Sequence, residues 1–357
     1  MGDSKIRLAI LDDYQGVSTG FFARLESRVA IESFPQTLNP SNPVQKAALI
    51  ARLQPFTVIS TMRERTPLPS DVILALPNLR LILTTGIFND SIAISTCAGM
   101  GIIVAGTTGI RTVDKSTAKA KPSLSYQSTT QHTWALILGI TRNITYDDLT
   151  VKHGGWQTGF ATGLSGKTLG VLGLGRLGVM TAKVAILAFD MKVLAWSSSL
   201  TQADADEKAA KYGLSPGSFC VANSKEELFR SADILSLHYV LSERSRGLVG
   251  AKELELMKST AFLVNTSRGA LIDERALLNT LKKGAIKGAA IDVFETEPLP
   301  SDSEWRTTKW GENGISRCLI TPHMGYVEES TVHAWYDEQA ETTAGWLDGR
   351  EPTVKLN

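Results

Sequence analysis

The chain has 357 residues, 43% of them apolar, and 37 Lys and Arg against 36 Asp and Glu, for a formal net charge of +1. That length suits about two domains, each able to bury a core without disulfides or metal. The near-neutral balance gives no electrostatic reason to expect nucleic acid or an anionic membrane as partner, so a small molecule is the expected ligand.

From the amino terminus, short β-rich runs alternate with helix-like stretches: "IRLAILDD", "TVIST" ending near Met62, "LRLILTTG" and "GIIVAG" at Gly101 to Gly106. This rhythm predicts a parallel sheet with crossover helices, whose carboxyl-end loops form ligand crevices. Asp12-Asp13, "MRERT" (Met62 to Thr66) and "TTG" (Thr84 to Gly86) are such ends. Residues 110–127 are polar, rich in Lys and Ser and without a sustained period, and read as an exposed loop or insertion. A helical run starts at Thr133, and the Gly-rich stretch His153 to Gly159 follows. In that stretch the sequence leaves Trp156 open between an interface residue and a core residue. A second βα series runs from "KTLGVLGLGRLG" through "ADILSLHYV", "AFLVNTSRG" and "GAAIDVF" to "CLITPH". Fold class α/β is therefore expected, with two doubly wound parallel-sheet domains. The spacing of Val332, Trp335, Tyr336 and Trp346 predicts a last helix able to pack on either half.

"GLGRLG", Gly173 to Gly178, stands after the apolar strand "TLGVL" and before the helical run "VMTAKVAILAF". In that order the glycines serve a tight turn, close approach to a pyrophosphate and helix-on-strand packing. The helix start then faces the phosphate charge. An acid closing the next strand would bind the adenosine ribose, but Ser197 stands there, followed by Ser198 and Ser199. Repulsion of a 2′-phosphate is thus removed, yet no Arg or Lys is adjacent to attract one. The choice between NAD and NADP stays open.

Three later strand ends each carry a polar residue: Arg268 after "FLVNTS", Glu297 in "DVFETEP" past a strand ending near Asp292, and His323 in "LITPH". A buried-looking apolar strand delivers Arg268, a buried arginine is costly unless an anion meets it, and its guanidinium fork suits the carboxylate of a 2-oxo acid. His323 is the natural general acid toward the nascent alkoxide, and base in the reverse direction. Glu297, if bonded to it, would stabilise the imidazolium.

"LGVLGLGRLG", "VNTSRGALID", "GAAIDVFETEPLP" and "TPHMGY" resemble the D-isomer-specific 2-hydroxyacid dehydrogenase family over nearly the whole chain. The resemblance implies a Rossmann cofactor domain, residues 110–323 with the insertion near 110–127, set into a flavodoxin-like substrate domain of residues 1–109 and 324–357. It implies Arg268, Glu297 and His323 as catalytic residues. Cofactor contacts would come from Gly173, Gly175, Arg176, Leu177, Gly178, Ser197, Tyr239, Val240, Thr266 and Asp292, the last holding the nicotinamide carboxamide. Arg63 and the backbone N–H groups at Gly86 would meet the substrate anion. NAD is the family's usual cofactor, NADP is not excluded, and a homodimer through the cofactor domain and the arm around Trp156 is implied.

The expected activity is reduction of a small 2-oxo acid such as glyoxylate or hydroxypyruvate to the D-2-hydroxy acid. The competing expectation is a dinucleotide-sensing, corepressor-like binding protein using the same loop. Cys97, Cys220 and Cys318 are scattered, without the spacing of a zinc site or disulfide framework, so no metal and a reducing, cytoplasmic setting are expected. The start of the chain lacks signal-peptide regions, and runs such as Trp134 to Ile140 are shorter than the ~20 residues of a membrane span.

Overall fold

The computed structural model describes residues 5–109 and 128–357, so the 110–127 insertion lies outside the described residues. The chain divides into two compact units, one holding the amino-terminal part and Glu328–Asn357, the other ending at Val327.

In the first unit, strands β1 (Ile6–Leu11), β2 (Val29–Phe34), β3 (Val58–Thr61), β4 (Leu81–Thr84) and β5 (Ile103–Ala105) alternate with helices α1 (Ser18–Phe22), α2 (Pro43–Leu53), α3 (Ser70–Leu74) and α4 (Ile94–Gly99). All pairings are parallel, in the order β2-β1-β3-β4-β5 of a flavodoxin-like sheet. Helix α2 starts where Asn42 accepts from the N–H groups of Val44 and Gln45, with Pro43 needing no donor partner. Its Leu49 and Leu53 then join Leu11, Ile59, Ile82 and Val104 in one core.

The second unit holds α5 (Ser128–Thr141), α6 (Ile144–Lys152), β6 (Thr168–Leu172), α7 (Arg176–Phe189), β7 (Lys192–Trp196), α8 (Gln202–Lys211), β8 (Cys220–Val221), α9 (Lys225–Ser231) and β9 (Ile234–Leu237). It continues with α10 (Ala251–Glu255), β10 (Phe262–Asn265), α11 (Glu274–Lys282), β11 (Gly288–Ile291), α12 (Glu304–Thr307) and β12 (Arg317–Ile320). Its seven parallel strands run β12-β11-β10-β9-β6-β7-β8, so the order reverses beside β6, where doubly wound sheets open their ligand crevice. Strands β9, β10 and β11 are buried throughout. They are apolar on both faces because helices cover both. Successive side chains of β10 illustrate this, since Phe262 and Val264 enter one core cluster and Leu263 the other.

Helix α13 (Glu329–Leu347) belongs to the first unit, which settles where the last helix packs. Ser60 Oγ donates to Gln339 Oε1 at 2.6 Å in the core, and Tyr336 stacks against Phe21. The chain passes between units at Val327/Glu328 rather than at 323/324, because Glu328 is the N-cap whose carboxylate accepts from Ser330 and Thr331. The His323 loop therefore stays with the second unit. Among the described residues, no helix is long and apolar enough to cross a membrane.

Candidate active site

Strands β10, β11 and β12 are neighbours, so the chain segments leaving their carboxyl ends share one edge of the sheet. His323 leaves β12, and its Nδ1 meets Glu297 Oε2 at 2.6 Å. The other Glu297 oxygen accepts from the Phe294 N–H at 2.9 Å, which fixes the carboxylate to its own loop. Side-chain exposure is 19% for His323 and 27% for Glu297, enough shielding to strengthen the pair while leaving the ring accessible. With Nδ1 engaged, Nε2 is the nitrogen available for proton exchange. Tyr326 packs edge-on against the imidazole, with ring centroids 5.5 Å apart.

Arg268 leaves β10 in extended conformation, half-buried, with Nη1 donating to the Ser267 carbonyl at 2.9 Å. Its own carbonyl accepts from Asn265 Nδ2, and Ser267 Oγ reaches across to the Leu237 carbonyl. A Cβ at Gly269 would overlap the Phe294 carbonyl, so only glycine lets the Arg268 turn lie directly against the loop that carries Glu297.

Asp292 has no exposure, and its carboxylate accepts from Thr321 Oγ1 (2.5 Å), His132 Nε2 (3.0 Å), Met324 N (2.8 Å) and Gly325 N (2.9 Å). Its main-chain carbonyl takes the His323 N–H at 2.8 Å. One residue thus anchors the loop on both sides of His323. That anchoring matters because His323 sits at φ +56°, a left-handed conformation costly for a residue with a side chain. Burial pushes the Asp292 carboxyl up, but the donors from His132, Thr321 and the Met324 N–H outweigh it and hold it below the usual carboxylate range.

His132 is the residue that sequence reasoning missed. It lies on α5, whose Thr133 Oγ1 also meets Thr266 Oγ1 at 2.8 Å, so one helix touches the ends of both β10 and β11. A signal existed: Thr130, Thr133, Trp134, Leu136 and Ile137 are all buried on that helix, and a histidine among them needs a polar partner.

Gly173 lies at φ +99°, and a Cβ there would come within 2.7 Å of the His238 carbonyl. At Gly178 a Cβ would overlap the Gly173 carbonyl, whereas Gly175 faces open space and precedes α7 without a side-chain cap. Tight turn, close packing and an open backbone cradle at a helix start fit a dinucleotide pyrophosphate. Arg176 is exposed and Leu177 half-buried in the first turn of α7. A cavity of about 270 Å³ opens beside the loop, reaching Ser197, Tyr239 and the exposed Val240. Tyr239 Oη ties to the Ser198 hydroxyl at 3.1 Å. His238 Nε2 bonds Ser236 Oγ at 2.9 Å, and burial pushes this imidazole down to about 4.

In the first unit, Arg63 and Gly86 meet. Arg63 stands at φ +51°, its N–H donates to Thr85 Oγ1, and its guanidinium lies where a Gly86 Cβ would be. The Gly86 N–H is not the open donor expected for a substrate anion, since it bonds Thr107 Oγ1 at 2.9 Å.

Residues 134–325 match the family model described as D-isomer specific 2-hydroxyacid dehydrogenase, NAD binding domain. The chain is 31% identical to a glyoxylate reductase of Aeropyrum pernix over 92% of this chain and 95% of that protein. It is 30% identical to a hydroxypyruvate reductase of Thermotoga maritima, covering 77% and 80%. The crystal structure of a phosphoglycerate oxidoreductase from Vibrio cholerae superposes with TM-score 0.80 at 30% identity, covering 96% and 99%.

Proposed function

We propose, from the premise that the chain belongs to the D-isomer specific 2-hydroxyacid dehydrogenase family, that it reduces a small 2-oxo acid of the glyoxylate or hydroxypyruvate type to the D-2-hydroxy acid. The enzyme is an NAD(P)-dependent oxidoreductase acting on CH–OH groups. The observation that carries the substrate reading is the 2.6 Å contact of Glu297 with His323 on a sheet edge shared with Arg268.

Bound at the glycine loop, the cofactor supplies the hydride. Arg268 pairs with the substrate carboxylate and polarises the carbonyl beside it. His323 Nε2 gives its proton to the oxygen as the carbonyl carbon gains the hydride, and Glu297 balances the imidazolium before that transfer. In oxidation His323 takes the hydroxyl proton back. Asp292 keeps the His323 loop in register. Relatives named as reductases of glyoxylate and of hydroxypyruvate support this substrate class, and the corepressor-like alternative is not favoured. Initial rates across a panel of 2-oxo acids, each with NADH and with NADPH, test the reading. Dinucleotide binding without turnover of any panel member would sink it.

The functional unit in this reading is a cytoplasmic homodimer. Ile144, Leu149 and Val151 of α6 are each more than half exposed, Trp156 is 74% exposed and Phe160 92%, an apolar surface suited to a second copy. Trp156 is thus no core residue. The free thiols of Cys97, Cys220 and Cys318 suit a reducing compartment. Light scattering of wild type and of Trp156→Lys tests the assembly, with a monomeric wild type counting against it.

A further inference from the structure

The dehydrogenase reading leaves Ser199 and Lys208, at the far end of the glycine-loop cavity, without a role. We infer that it receives the 2′-phosphate of NADPH, with Lys208 of α8 as the cation and the Ser197 and Ser199 hydroxyls as further donors. The enzyme then binds NADPH at least as tightly as NADH. This inference rests on the dinucleotide site already described and refines which dinucleotide fills it.

The cavity runs from Gly173 and Gly175 to Ser197, Ser199, Asp204 and Lys208. A dinucleotide whose pyrophosphate lies on the glycine loop puts its adenosine ribose at the end of the next strand, here β7, which stops at Trp196. A carboxylate at that point would bind both ribose hydroxyls and repel a phosphate, and Ser197 is not one. Lys208 is remote in sequence, but α8 folds back so that its second turn lines the same cavity. The lysine is half-buried, and its Nζ makes no hydrogen bond or ion pair with any described residue. Ser197 and Ser199 likewise spend no hydroxyl on a described residue, unlike Ser198, which is held by Tyr239. An ammonium partly withdrawn from bulk water, which feels the Asp204 carboxylate but makes no hydrogen bond or ion pair with a described residue, beside two uncommitted hydroxyls, is the donor set a phosphate monoester recruits.

Asp204 opposes this. Its carboxylate lines the cavity too, although one oxygen accepts from Thr201 N (3.0 Å) and Thr201 Oγ1 (2.7 Å) to close the α8 cap. Part of its charge is offset there by the helix dipole. The rest weakens phosphate binding, so neutralising Asp204 must favour NADPH selectively.

The test is equilibrium binding in the absence of substrate, following quenching of tryptophan fluorescence by NADPH and by NADH. The expected result is an NADPH Kd equal to or below that of NADH. Lys208→Ala should weaken NADPH about tenfold, the loss of one charge-assisted bond, and NADH less than about twofold. Asp204→Asn should tighten NADPH alone, and Ser197→Asp should reverse the preference. 2′,5′-ADP should compete with NADPH more strongly than 5′-AMP, and its advantage should shrink as salt is raised. Weaker binding of NADPH than of NADH by the wild type, or equal loss of both in folded Lys208→Ala, overturns the inference and leaves the dehydrogenase reading standing. Failure to bind either dinucleotide overturns both.

Discussion

Replacing Asp292 by asparagine should disable the candidate site without touching His323, Glu297 or Arg268. The side chain is fully buried and takes four hydrogen bonds, from Thr321, His132, Met324 and Gly325. An asparagine whose oxygen faces the first three turns its NH2 toward the Gly325 N–H, donor against donor. Each retained bond then loses its charge assistance, about 1 kcal/mol apiece, and the lost one costs about 1–3 kcal/mol. Burying an amide rather than a charge offsets part of this, so the net loss should be about 3 kcal/mol. For a unit of this size that lowers Tm by roughly 6–12 °C. The Met324 and Gly325 anchors weaken together, so kcat should fall at least about tenfold through misplacement of His323. Because the Asp292 carboxyl titrates below its ordinary 3.8 in the folded protein, its stabilisation is complete above that value. It is lost as pH falls through the lower, folded-state value. The gap in Tm between wild type and Asp292→Asn should therefore narrow in acid. Thermal unfolding of the cofactor-free proteins from neutral to acidic pH, with single-turnover rates alongside, provides both readouts. A Tm within about 1 °C of wild type at neutral pH, where ~3 kcal/mol is expected, would refute the anchoring argument.

Glu297→Gln keeps the shape of the contact with His323 but removes the charge, so kcat for reduction should drop by about ten- to a hundredfold with dinucleotide affinity nearly unchanged. Parallel stopped-flow and binding measurements check this. Gly178→Ala drives a methyl into the Gly173 carbonyl, and the expected outcome is loss of dinucleotide binding in a protein whose circular dichroism remains near wild type. The buried His238 imidazole, held down at about 4, stays neutral in the folded state at pH values where the unfolded chain protonates. It gives full stability above the unfolded value of about 6.5, and on the order of 3 kcal/mol is lost as pH falls from there toward 4. A His238→Asn variant should show a flatter denaturation midpoint across that window, and an unaltered slope would contradict the assignment.

The placement of the candidate residues was legible in sequence where it follows the sheet. Arg268, Glu297 and His323 leave three strands that pair in the order β10-β11-β12, so reading strand ends was enough to expect them on one edge. The glycine loop was equally local, because strand, turn and helix are consecutive. Contacts made by helices across the fold were not legible. His132 reaches Asp292 over a separation of 160 residues, and Lys208 enters the cavity only because α8 folds back over β7, whereas the sequence reading sought a cation beside Ser197. Strand β2, "VAIESF", carries Glu32 and Ser33 and a burial pattern too mixed to stand out as a strand. The Gly86 N–H was expected to face a ligand, and only the fold reveals that Thr107 already holds it.

The two ends of the glycine-loop cavity differ in what surrounds them. Gly173 and Gly178 are wedged against main-chain carbonyls, so almost any replacement there must deform the sheet edge. Ser199 is exposed, and Ser197 and Lys208 are only half-buried, their side chains making no hydrogen bond with any described residue. Grip on the dinucleotide is thus frozen into the scaffold, while discrimination between its phosphorylated and plain forms sits on swappable side chains. Lineages sharing this backbone could drift between the two nicotinamide currencies by single codon changes without passing through an unfolded ancestor.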